Sequence, residues 1–132
     1  MKVIILPLIM FICLSCSEDK FGKEKFDDQI VISNRADTTI HKIIVWGGDR
    51  PVLKNEKSWI FENVLPGKAD TINFNINRDV KIPEGSIYVR VFFNEKDSLP
   101  DAGFYFTNWQ IVGSDYRHFI VYKDKVVLEK LN

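Results

Sequence analysis

Two histidines and a scatter of serines and carboxylates are the residues of this chain best suited to covalent or metal chemistry, and their spacing serves neither. His41 and His118 lie far apart, each inside a β-rich run. As a metal pair they would need acidic partners such as Asp37 or Asp49, and beyond residue 28 there is no His-x-x-x-His spacing and no cysteine at all. No serine sits in a G-x-S-x-G elbow, and a cysteine hydrolase would lack its thiol. Glu84 and Glu95 can meet in space only by a fold that their spacing does not argue for. Gly47-Gly48 is followed by neither Lys-Ser/Thr nor a helix, so it reads as a hairpin turn rather than a phosphate cradle. No catalytic residue, metal site or cofactor is expected.

Binding chemistry is better represented. Over residues 86–93, Ile87, Val89, Val91 and Phe93 alternate with Tyr88, Arg90 and Phe92, the period of a strand with one buried face. Tyr88, Arg90 and Phe92 then share the outer side, with Tyr105 and Trp109 of a later strand as neighbours. Aromatic rings beside a guanidinium make a platform for a sugar ring, a peptide or a partner protein, provided no loop or adjoining sheet covers them. The loops at 47–57 and 94–102 are further candidates, because sandwiches commonly bind through loops at one end. Trp46 and Trp59 sit in β-rich runs and read as core residues.

The elements that must position this platform are strands throughout. Strands are expected at 29–34, 38–46, 58–64, 70–76, 86–93, 103–111, 117–122 and 126–131. They are separated by turn signals such as Asn34-Arg35-Ala36-Asp37, Leu65-Pro66-Gly67-Lys68 and Lys123-Asp124-Lys125. Nowhere do apolar residues recur at helical spacing for three turns, and no helix is expected. Eight short strands in roughly a hundred residues is the spacing of a single antiparallel β-sandwich. A small closed β-barrel is the alternative, although it normally has longer strands of equal length. The segment Asp101-Ala102-Gly103-Phe104-Tyr105-Phe106-Thr107 resembles the tyrosine-corner signature of immunoglobulin-like sandwiches, with Thr107 where antibody-type domains carry their second cysteine. That resemblance implies that Tyr105, Thr107 and Trp109 point inward. Phe104 and Phe106 compete for the same side.

The N-terminus gives the sharpest motif. Met1-Lys2 precedes an uncharged run, Val3 to Leu14, of the length expected for the apolar part of an export signal and too short to span a bilayer. Leu14-Ser15-Cys16-Ser17 closes the run, and charges begin at Glu18. This resembles the lipobox of bacterial lipoproteins, which implies cleavage before Cys16 and fatty acylation of that residue. Three residues before the cut the family prefers Leu, and this chain has Cys13. The organisation implied is a signal peptide at 1–15, a lipidated cysteine with a charged tether at 16–28, and a β-sandwich at 29–132. A flexible tether of that length spans on the order of 20 Å, so the domain sits close to the membrane. Both cysteines fall at the end of the signal, so the domain is expected to form no disulfide and to rely on core burial. Ser17 lacks the Asp that holds many Gram-negative lipoproteins at the inner membrane, which implies the outer membrane. Glu18-Asp19 resembles a short acidic signal for transfer to the cell surface, and periplasmic and surface-facing orientations both stay open.

Charge adds an exclusion. Lys plus Arg equals Asp plus Glu at 18 each, so the chain has no basic excess to neutralise nucleic-acid phosphates. The expectation is a non-enzymatic binding or interaction module, anchored to the membrane by lipid, with a protein or glycan partner. A small hydrolase or metal-dependent enzyme with an unrecognised site is the competing class.

Overall fold

The computed structural model describes residues 28–48, 57–113 and 116–131. The signal segment, Cys16 with nearly all of its tether, and Asp49 with most of the 47–57 loop lie outside the described residues. Among the described residues there are nine strands: β1 (Asp28–Asn34), β2 (Ile40–Gly48), β3 (Lys57–Val64), β4 (Ala69–Phe74), β5 (Gly85–Phe92), β6 (Ala102–Thr107), β7 (Gln110–Ile111), β8 (Tyr116–Val121) and β9 (Val126–Lys130). They make two sheets, ordered β4-β1-β8-β9 and β3-β2-β5-β6-β7. The sheets pack face to face and do not close into a barrel, so the fold is a β-sandwich. All pairings are antiparallel except β1 with β8, which run parallel. In this two-layer sandwich β1 and β2 lie in different sheets, and β2 is flanked by β3 and β5.

The alternation of each strand decides what fills the interior. Ile30 and Ile32 of β1, Ile72 and Phe74 of β4, and Phe119 and Val121 of β8 face Ile43 and Val45 of β2, Ile87, Val89 and Val91 of β5, and Phe104 and Phe106 of β6. Phe104 stacks on Phe119 across the sandwich, with centroids 6.0 Å apart. This contact overturns the tyrosine-corner reading. With both phenylalanines inward, strand parity turns Tyr105 outward, where it is 71% exposed, and Thr107 is exposed beside it. Asp101 forks onto Arg90 at 2.7 and 2.8 Å. The motif is a run of ordinary strand alternation.

Two further expectations change. Gly47-Gly48 is not a hairpin turn but the last two residues of β2, both buried. A Cβ on Gly47 would lie 2.7 Å from Ile87 Cδ1 and 2.8 Å from Val80 Cγ2, so the glycine is there to let these side chains close over the strand. Val80 belongs to the second departure, a single turn of helix at Ile76–Val80 where no helix was expected. One turn is too short to leave a helical period in the sequence. Asn75 caps it by accepting from Arg78 N–H at 2.8 Å, and Asp79 Oδ2 reaches back to accept from Asn75 N–H at 2.9 Å.

Candidate binding face

The outer side of the five-stranded sheet carries the platform. Register fixes the rows. Trp46 of β2 stands opposite Tyr88 of β5, which stands opposite Gly103 of β6, and Ile44 stands opposite Arg90. Tyr88, Arg90 and Phe92 do share this outer face, and each is half-buried by its neighbours. Trp46 joins them, which corrects its assignment to the core. With Ile43 and Val45 inward, the intervening Ile44 and Trp46 must be outward. Trp59 is packed against the core, edge-on to Phe74 at 6.0 Å.

Contacts within the face are specific. The Trp46 and Tyr88 rings lie 5.7 Å apart, tilted by 32°, and the Arg90 guanidinium lies 5.3 Å from the Trp46 centroid. Lys42 sits over the Phe92 ring at 5.3 Å. The forked hydrogen bonds that Arg90 donates to Asp101 raise the Arg90 pKa still further and commit its charge to a partner within the face. A Cβ on Gly103 would lie 2.4 Å from Ile87 O and 3.0 Å from Tyr88 Cδ1, so the absent side chain lets the β5 backbone and the Tyr88 ring come this close to β6.

Beyond Tyr88 the face opens into a hollow of about 640 Å³, lined by Glu84, Ser86, Tyr88, Tyr105, Thr107 and Val112 among others. Ser86, opposite Tyr105, is a small residue between two aromatics on this face, and its size makes the depression. Glu84 Oε1 accepts from the Thr107 hydroxyl at 3.2 Å. Val112 is 56% exposed. Trp109 sits at the tip of the β6–β7 hairpin, 41% exposed, with its N–H donated to Pro83 O at 3.1 Å, next in sequence to Glu84. The structure therefore brings Tyr88 and Tyr105 to one hollow, while Trp109 is not among its lining residues and is tied by its backbone to the segment that carries Glu84. Arg90 and Phe92 stand further along the same face.

Ser86 and Val112 were not singled out in the sequence, Glu84 was weighed only as one of a carboxylate pair, and Thr107 was expected to point inward. The signal for Ser86 was present, since it has the parity of Tyr88 and Arg90. Glu84 and Val112 lie outside any alternating run, and only the sheet pairing brings them to the hollow.

The histidines are separated by the sandwich. His41 is half-buried on β2, and His118 lies on β8 in the opposite sheet. His118 Nε2 is 2.8 Å from Ser33 Oγ, and Glu129 faces it from β9. That places a hydroxyl beside a base on the outer side of the four-stranded sheet, where Val31 flanks it on β1. Among the described residues no group of three or more His, Cys, Asp and Glu is placed to hold a metal. Likewise, no described helix is long and apolar enough to cross a membrane. No family model, curated protein or solved structure matches this chain.

Proposed function

We propose that the chain is an outer-membrane lipoprotein, attached by lipid on Cys16, whose β-sandwich is a non-enzymatic binding module for a protein or glycan partner. The observation that carries the binding part is the aromatic outer face of the five-stranded sheet. There Trp46, Tyr88 and Tyr105 stand in neighbouring rows, and Tyr105 is 71% exposed. A monomer gains little by leaving a large ring in water, whereas a partner that stacks on it gains its area. The lipobox resemblance at Ser15-Cys16 supports the anchor, and Ser17 with Glu18-Asp19 supports the outer membrane, with a surface-facing orientation as one of its two arrangements.

Recovery of partners from detergent-solubilised membranes tests the reading. The wild-type lipoprotein should retain a specific protein or glycan that a Tyr105→Ala, Trp109→Ala double variant loses. Equal recovery by both proteins would count against the face.

A hydrolytic reading is favoured by one observation, the 2.8 Å contact between Ser33 and His118. It requires a turnover that Ser33→Ala and His118→Ala each abolish in a folded protein. The binding reading expects neither variant to affect partner recovery.

A further inference from the structure

We propose that the hollow between Tyr88 and Tyr105 is a subsite for an uncharged sugar ring of a glycan. This rests on the binding-module reading above and names its ligand. The hollow is shallow and open to solvent, and its volume of about 640 Å³ is ample for a sugar ring laid against the face. Its lining combines two kinds of group. The rings of Tyr88 and Tyr105 are aromatic, the second 71% exposed, and Glu84, Ser86 and Thr107 add a carboxylate and two hydroxyls among them. A pyranose also combines two kinds of group. Its axial C–H groups form an apolar face that stacks on an aromatic ring, and its equatorial hydroxyls donate at the edge to a carboxylate and exchange hydrogen bonds with serine and threonine.

Charge narrows the ligand further. Among the described residues lining the hollow there is one carboxylate and no lysine or arginine. The nearest guanidinium on the face, that of Arg90, is forked onto Asp101. Sulfated and uronic-acid glycans would bring a second negative charge to Glu84 with nothing to offset it, so neutral glycans are selected.

The rim is held in place at a conformational cost. Asn108 and Trp109 both have positive φ, 50° and 64°, the two-residue turn in which the second position favours glycine. A tryptophan is an expensive occupant there, and it leaves a large ring 41% exposed at the hairpin tip. Thr107 and Gln110 pair to close the hairpin, and the Trp109 N–H to Pro83 O bond draws it against the segment that carries Glu84.

The test is titration of the full lipidated chain, held in a detergent without a sugar headgroup, with three soluble hexaoses: β-1,4-linked glucose, α-1,4-linked glucose and β-1,4-linked N-acetylglucosamine. Saturable binding of at least one is expected. Tyr105→Ala should weaken it at least tenfold, Tyr105→Phe should leave it within twofold, and Glu84→Gln should weaken it severalfold. Because Tyr105 and Glu84 are exposed, these variants should keep the wild-type melting temperature, which is measured alongside. Absence of saturable binding by all three hexaoses overturns the proposal, as does binding indifferent to Tyr105→Ala or tighter binding of a sulfated oligosaccharide. Recovery of a protein partner that depends on Tyr105, with no hexaose bound, removes the sugar assignment and leaves the binding face standing.

Discussion

Asn34 is fully buried and uses its whole side chain. Its amide nitrogen donates to Val64 O at 2.9 Å and to Thr38 O at 3.0 Å, and its Oδ1 accepts from Ala36 N–H at 2.9 Å. Its backbone adds a bond to Lys68 O and accepts one from Gly67 N–H, so one residue ties the end of β1 to the turn that follows β3. Asn34→Ala removes both donors and the acceptor at once and strands at least one buried main-chain group. The expected loss is about 2–3 kcal/mol, read as a lower urea midpoint at unchanged slope. Asn34→Asp should fare no better, because it turns an oxygen toward the two carbonyls that now accept. In the sequence Asn34 reads only as a turn former, since its partners at 64 and 68 are remote. The same holds for Asp101, which fits a motif locally and instead answers to Arg90.

The strands themselves were legible, because period-two alternation survives in β4 and β5 with one wet or half-wet face. It fails where both faces are apolar. Over residues 43–46 the sequence reads Ile-Ile-Val-Trp, which gives no parity, and Trp46 was accordingly placed inside. The missing cue was Gly47, which reads as a turn by composition and is a packing residue by contact. Gly47→Ala tests that role. With Ile87 Cδ1 and Val80 Cγ2 closer than any real Cβ tolerates, overpacking should cost about 1–3 kcal/mol, measured by thermal or urea unfolding. A turn glycine without close neighbours, replaced in the same way, would show little steric cost. The helical turn beside it carries a titratable cap. The Arg78 guanidinium hydrogen-bonds Asp79 and lowers its pKa, the Asn75 N–H adds to this, and partial burial opposes it. A carboxyl depressed on folding contributes stability that is present above its unfolded pKa, about 3.9. That contribution is lost as pH falls through the lowered folded value. The stability gap between wild type and Asp79→Asn should therefore be wide at pH 6 and narrow at pH 3. A gap that stays constant would remove the ionised cap from the account.

At the scale of the molecule the core and the anchor divide the work. The domain has no cysteine, so no disulfide joins the two sheets, and they are held chiefly by apolar burial, with Phe74, Phe106 and Phe119 among the largest fully buried side chains. Nothing in that core depends on where the chain is attached. The proposed attachment rests on Cys16 and its neighbours, whose lipobox resemblance has one irregular position at Cys13. The two cysteines give a clean contrast. If Cys16 carries the lipid, Cys16→Ala should abolish incorporation of a labelled fatty acid and move the protein out of the membrane-bound lipoprotein fraction. Cys13→Ala should keep both properties, because position 13 leaves with the signal peptide. The magnitude is set by chain length. Each buried methylene contributes roughly 0.8 kcal/mol, so loss of two or three acyl chains removes durable attachment altogether. Unfolding of the released domain should match that of the anchored one, since no core residue is touched. Continued labelling of Cys16→Ala would sink the anchor. The sandwich and its aromatic face would then need a different address, and a ligand sought among soluble rather than surface-bound glycans.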